Sequence, residues 1–186
     1  MFLSRLVHRR DSAHTAEILY ARIVARAREP AFYRDHGVPD TVEGRFEMIA
    51  LHAFLVLHRL KESKAADGPD EGALGQALFD LMFADMDRSL REMGVGDLGV
   101  GRRVKAMAQA FYGRIAAYEG GLAGGDGALA VALERNVFAG APPPGGGPVL
   151  ARYVCACTRG LAAIPGDALG RGDIDFPPVP SPEARQ

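Results

Sequence analysis

The sequence predicts an all-α fold, and three observations carry that prediction. Apolar residues recur at helical spacing almost without a break between residues 12 and 138. Alternation of the strand type never runs for a useful length. Helix punctuation falls where these segments begin or end, at Pro30, at the Asp40/Glu43 pair and at Gly94. With 186 residues, 48% of them hydrophobic and 24% charged, the chain suits a single globular domain of about six helices followed by a Pro/Gly-rich segment.

In chain order, residues 1–10 (MFLSRLVHRR) form an amphipathic basic arm, with Phe2, Leu3, Leu6 and Val7 beside Arg5, Arg9 and Arg10. Its bases follow the apolar stretch and no small-residue cleavage site is present, which is not the pattern of a signal peptide. Residues 11–140 form the main helical domain. Asp11 or Ser12 is placed to cap a first helix that stops at Pro30 and aligns Ala16, Leu19, Ile23 and Ala27 on one side. Asp40 and Glu43 have the spacing of a capping box and open a second helix running to about Lys61. A third spans Leu74 to Met93 and is stopped by Gly94, which takes the left-handed conformation at a helix end without strain. Val100 to Tyr118 makes a fourth, and Asp126 caps a fifth that runs through Phe138.

Nine of the twelve prolines lie after residue 140. Residues 141–170 comprise a linker or long loop, APPPGGGP, and a sixth helix from Val149 to Ala163. Residues 171–186, with Pro177, Pro178, Pro180 and Pro182, read as an extended or disordered tail.

Two helices are apolar on more than one side. In the second, Phe46, Ile49, Ala53, Phe54, Leu57 and Leu60 lie within about 140° of one face at 100° per residue. Met48, Leu51 and Leu55 occupy the opposite face, flanked by Glu47, His52, His58 and Arg59. In the third, Phe79, Met82, Phe83, Met86, Leu90 and Met93 form the main stripe and Leu74, Leu78 and Leu81 a second patch. Such a helix is either central to a core or presents one face to a partner.

Charge and motif patterns exclude more than they assign. Lys and Arg total 22 against 23 acids, which argues against a DNA-binding protein. Two cysteines make no disulfide framework, and Cys155 and Cys157 point to different sides of their helix as structural thiols. The longest apolar run, from Met48 to His58, falls well short of the ~20 residues that cross a bilayer. His52 and His58 point about 120° apart and cannot share a metal from one helix, and His14 with Glu17 reads as a solvated pair. The GDLGVG sequence at 96–101 follows a helix and lacks Lys-Ser/Thr, so it reads as an inter-helix turn and not a phosphate loop. No catalytic, cofactor or metal residues emerge.

Residues Gly44 to Leu60 (GRFEMIALHAFLVLHRL), Gln76 to Val95 (QALFDLMFADMDRSLREMGV), Phe111-Tyr112-Gly113-Arg114, Tyr118 and Ala132 to Phe138 (ALERNVF) together resemble the ubiquinol–cytochrome c chaperone family. The resemblance covers residues 30–138, with Phe54 and Phe83 where relatives often carry Trp, and leaves the C-terminal part outside it. It implies a non-catalytic assembly chaperone that binds newly made cytochrome b and promotes assembly of ubiquinol–cytochrome c reductase. Mitochondrial members work near the ribosome exit at the membrane with a small partner protein. A short chain without a transit peptide suggests a bacterial member, cytoplasmic and peripheral at the inner membrane.

For a client rich in transmembrane helices, an adaptable apolar acceptor is expected. The apolar candidates for client contact are Met48, Leu51, Leu55, Met82 and Met86; the polar ones around them are His52, Arg59, Asp80, Asp85, Asp87, Arg88 and Arg91. Phe2, Leu3, Arg5, Leu6, Arg9 and Arg10 are the candidates for contact with the membrane or the ribosome surface. Two rivals remain: a small helical enzyme using His52 or Asp80, and an adaptor that binds a soluble partner through Leu74, Leu78 and Leu81.

Overall fold

Helix α3 (Val42–Glu62) is apolar all round because other elements surround it. The computed structural model describes residues 2–62 and 71–181, with side chains from residue 11 onward except at 71 and 126. In chain order the helices are α1 (Phe2–Ala27), α2 (Pro30–Arg34), α3, α4 (Glu71–Glu92), α5 (Asp97–Gly124), α6 (Asp126–Val137), α7 (Gly146–Ala162) and α8 (Gly166–Gly170). Six are long and two, α2 and α8, have five residues each, so the all-α prediction holds. Helix α3 packs against α1, α4, α5, α6 and α7. On one side Phe54 meets Tyr118 of α5, while on the other His52 meets Tyr153 of α7, Phe32 of α2 and Phe176. Among the described residues no helix is long and apolar enough to cross a membrane.

The first helix starts earlier than its expected caps. Asp11 and Ser12 sit inside α1, which continues back through the expected arm to Phe2. Its predicted stripe is correct: Ala16, Leu19, Ile23 and Ala27 are all buried, against α3 and α4. Pro30 then opens α2 instead of merely ending α1, as suits a residue whose missing amide costs nothing in a first turn.

The capping box at the start of α3 is also displaced. Thr41, not Asp40, accepts the Gly44 amide, at 3.1 Å, and Asp40 binds Arg45 at 2.7 Å instead. A Cβ on Gly44 would lie 2.0 Å from the Pro39 carbonyl oxygen, so the loop and the helix approach each other only through a glycine.

Helix α4 ends as predicted. Gly94 has φ +82°, its amide donates to the Arg91 carbonyl, and Val95 donates back to Leu90 across the left-handed cap. The GDLGVG sequence is less of a turn than expected, because α5 begins at Asp97 and takes in Gly99 and Gly101. Helices α5 and α6 then form a hairpin at Gly125, which also occupies the N-cap position expected of Asp126.

The C-terminal third departs most from expectation. The expected linker is a short loop, and Gly146 and Gly147 already belong to α7 and are buried. A disordered tail from residue 171 is contradicted: residues 171–181 run extended but packed, with Ile174 and Phe176 buried. Arg22 donates to the Ile174 carbonyl at 2.8 Å, Arg26 to that of Phe176 at 2.9 Å, and His36 Nε2 lies 2.7 Å from that of Pro180. Ion pairs of Arg22 with Asp173 and Arg26 with Asp175 reinforce this strap. Proline removes only amide donors, and here the strap is held through its carbonyls, so a Pro-rich composition and a fixed position are compatible. Residues 182–186 lie outside the described residues.

Candidate functional site

Six of the expected client-contact residues are buried, five of them fully and Met86 at 8% exposure. Met48, Leu51, His52 and Leu55 in α3 and Met82 in α4 are at most 1% exposed, which corrects their reading as an acceptor surface. Segments that follow residue 138 close over α3's second side, chiefly α7 and the strap. His52 is the polar centre of this region. Its Nδ1 donates to the Met48 carbonyl at 2.7 Å, which leaves Nε2 to accept from the Tyr153 hydroxyl at 2.9 Å. Phe32 and Phe176 pack edge-on against the same ring. Burial pushes the imidazole down to about 4, so it is neutral at ordinary pH, and pushes the Cys157 thiol beside Tyr153 up to about 12.

The polar candidates divide by surroundings. Arg59 reaches across to α7 and donates to the Leu161 and Ile164 carbonyls at 2.9 and 2.8 Å, satisfying groups at a helix end. Asp85 accepts the Tyr20 hydroxyl at 2.8 Å, which ties α4 to α1. Asp87 pairs with Arg91 at 2.6 Å, and Arg91 also binds Asp97 at the start of α5. Asp80, joined to Gln76, and Arg88, 3.9 Å from Asp85, are exposed. The patch of Leu74, Leu78 and Leu81 faces inward, with Leu74 and Leu78 each 1% exposed, so it offers an adaptor no surface.

One ion pair was not visible in the sequence. Glu47 of α3 and Arg114 of α5 form a bidentate pair near the surface of the core, with the Arg114 guanidinium 5.6 Å above the Phe46 ring. The hydrogen bonds that Arg114 donates to Glu47, with the attraction between the charges, raise the Arg114 pKa further. The partners are 67 residues apart, so no spacing rule announces them.

Among the described residues an open cleft lies where the end of α1, α2, the first turns of α3, the last turns of α4, and α5 converge. It has two lobes that share Arg28 and Arg45 as walls. The apolar lobe, about 340 Å³, is floored by Phe46, Ile49, Met86, Leu90, Met93 and Met107, with Asp85 and Glu92 along its wall. The basic lobe, about 530 Å³, is lined by Arg28, Tyr33, Arg34, Asp40 and Arg45, with Arg34 paired to Asp35 and Arg45 to Asp40. The Asp40 carboxylate is held below its usual range by the hydrogen bond from Arg45. The Arg28 side chain has no ion-pair or hydrogen-bond partner among the described residues, while its amide donates to the Val24 carbonyl. Of the expected client contacts, only Asp85 and Met86 line this cleft. The others in it were missed because Arg28 and Arg45 lie near predicted helix ends, Tyr33 lies between two predicted helices, and nothing in the local spacing sets Met107 apart from the rest of its helix.

Among the described residues no three His, Cys, Asp or Glu side chains stand close enough to hold a metal ion. The side chains of Phe2, Leu3, Arg5, Leu6, Arg9 and Arg10 lie outside the described residues, and only their place in the first turns of α1 is given.

The described residues form an all-helical fold with a Met-lined cleft. Residues 34–176 match the ubiquinol-cytochrome C chaperone family, and the chain belongs to it. The match extends the resemblance beyond residue 138 to the strap. The crystal structure of the Cbp3 homolog from Brucella abortus superimposes with a TM-score of 0.80 at 42% identity, covering 96% of this chain and 98% of that one. Ubiquinol-cytochrome c reductase complex assembly factor 1 of Drosophila melanogaster is 26% identical over 67% of this chain and 48% of its own length. The mitochondrial protein CBP3 of Saccharomyces cerevisiae is 32% identical over 59% of this chain and 32% of its own length. The chain therefore spans about half the length, or less, of these two relatives.

Proposed function

We propose that this protein is a non-catalytic assembly chaperone that binds newly made cytochrome b and promotes its entry into ubiquinol–cytochrome c reductase. The observation that carries the reading is likeness over nearly the whole chain, 96% of it at 42% identity, to a Cbp3 homologue. Relatives described as reductase assembly factors point the same way. The rival enzyme reading loses its geometry, since His52 is sealed and neutral while Asp80 is solvated. On this reading the protein works on the cytoplasmic side of the inner membrane, held loosely through Phe2, Leu3, Arg5, Leu6, Arg9 and Arg10. An arm deletion that leaves binding to anionic vesicles unchanged would remove that attachment.

The test is deletion of the gene in its own host, followed by assay of cytochrome b and assembled reductase in the membranes. Loss of both, with messenger level and other respiratory complexes unchanged, is the expected result. Normal levels of both, in a host without a second homologue, would overturn the reading.

A further inference from the structure

We propose that the two lobes of the cleft form one seat for an apolar peptide segment of the client that carries an acidic group at one end. This inference rests on the chaperone reading and names the surface it uses. The apolar lobe would take the hydrophobic side chains and the arginine lobe the carboxylate.

Three observations support this occupant. The floor includes flexible thioethers: Met86 of α4, Met93 in the turn that follows it and Met107 of α5, with Met93 51% exposed. Unbranched side chains of this kind reshape around varied sequences, as a surface that receives several client segments requires. Second, Arg28 and Arg45 stand where the lobes meet, so an apolar chain in one lobe brings its end directly to guanidinium groups. Third, charge along the cleft is polarised. One lobe carries Arg28, Arg34 and Arg45, of which Arg34 is paired with Asp35 and Arg45 with Asp40, so its excess positive charge is that of Arg28, whereas Asp85 and Glu92 flank the other. A segment acidic at one end only is complementary to this order, and a uniformly anionic lipid surface over both lobes is not. The arginine lobe is pre-charged at little cost, because the exposed Asp40–Arg45 pair that a client carboxylate would compete with is weak.

The experiment uses the full chain with a photo-reactive residue at Met93 or, as a site away from the cleft, at Val131, which is 65% exposed. The probe is a synthetic peptide from an apolar segment of cytochrome b, ending in aspartate or in its amide counterpart. Labelling from position 93 and not from 131 is expected, and Arg28→Glu should weaken the aspartate-ended peptide about tenfold while barely changing the amide-ended one. Equal labelling from both positions, or indifference to Arg28→Glu, would overturn the seat. Displacement of the peptide by anionic vesicles that themselves label at position 93 would overturn it in favour of lipid. Both substituted side chains are exposed, so matched thermal midpoints separate lost binding from lost folding.

Complementation in the deletion host separates the two proposals. If the wild-type gene is needed for reductase but a Met93→Asp/Arg28→Glu variant restores it fully, the cleft falls and the chaperone reading stands. If the gene is dispensable, the chaperone reading falls, and the peptide labelling alone decides the cleft.

Discussion

Helix α3 buries 13 of its 21 residues, whereas α5 buries four of its 28. The sequence marks α3 as apolar on two sides, and the difference in burial comes from what lies over each helix. Helix α3 is enclosed by α4 and α5 on one side and by α7, α2 and the strap on the other. Helix α5 lays one stripe, including Phe111 and Tyr118, on the core and leaves Leu98, Tyr112 and several bases in water. A helix sealed all round can be precise but cannot receive a client. A helix anchored along one stripe can line a cleft whose width adjusts.

The largest effect is expected where the two helices join. Glu47→Ala leaves the Arg114 guanidinium half-buried without its carboxylate and should cost about 3–5 kcal/mol in a urea titration. Replacing both partners with apolar residues of similar volume should recover most of that loss. Within the helices, Leu51→Ala opens a cavity in a fully buried site and should cost about 2–5 kcal/mol. Leu98→Ala in α5, at a side chain 91% exposed, should stay within about 0.5 kcal/mol. Equal costs at the two leucines would erase the distinction drawn here.

The pH dependence sharpens the same contrast. His52 is neutral in both folded and unfolded chains above pH 6.5. As pH falls from 6.5 toward about 4, the unfolded chain takes up a proton that the buried ring refuses. Stability is therefore full above 6.5 and declines through that window, by about 3 kcal/mol at its lower end. His52→Gln should flatten this part of the profile, read from urea midpoints between pH 7 and 4.5. No matching decline is expected to come from α5.

Much of the fold was legible. The stripe of α1, the cap at Gly94 and the two-sided character of α3 follow from local spacing, which is where helical periodicity speaks. The burial of the expected client contacts was not legible, for a physical reason. Met48, Leu51 and Leu55 form an apolar face whatever covers it, and the cover comes from residues about a hundred positions later. The strap was hidden because Ile174 and Phe176 stand among prolines that carry no periodicity, yet each is buried and held by arginines of α1. The cleft was hidden because its arginines belong to three different elements and converge only in the folded chain.

Native-state hydrogen exchange compares a fixed α3 with an adaptable cleft wall most directly. Amides in the middle of α3 should exchange only through global unfolding, with opening free energies that fall with denaturant at the full slope. Amides in the first turns of α5, from Leu98 to Met107, should exchange through local openings that hardly respond to low denaturant. A single opening free energy shared by both helices would contradict the account.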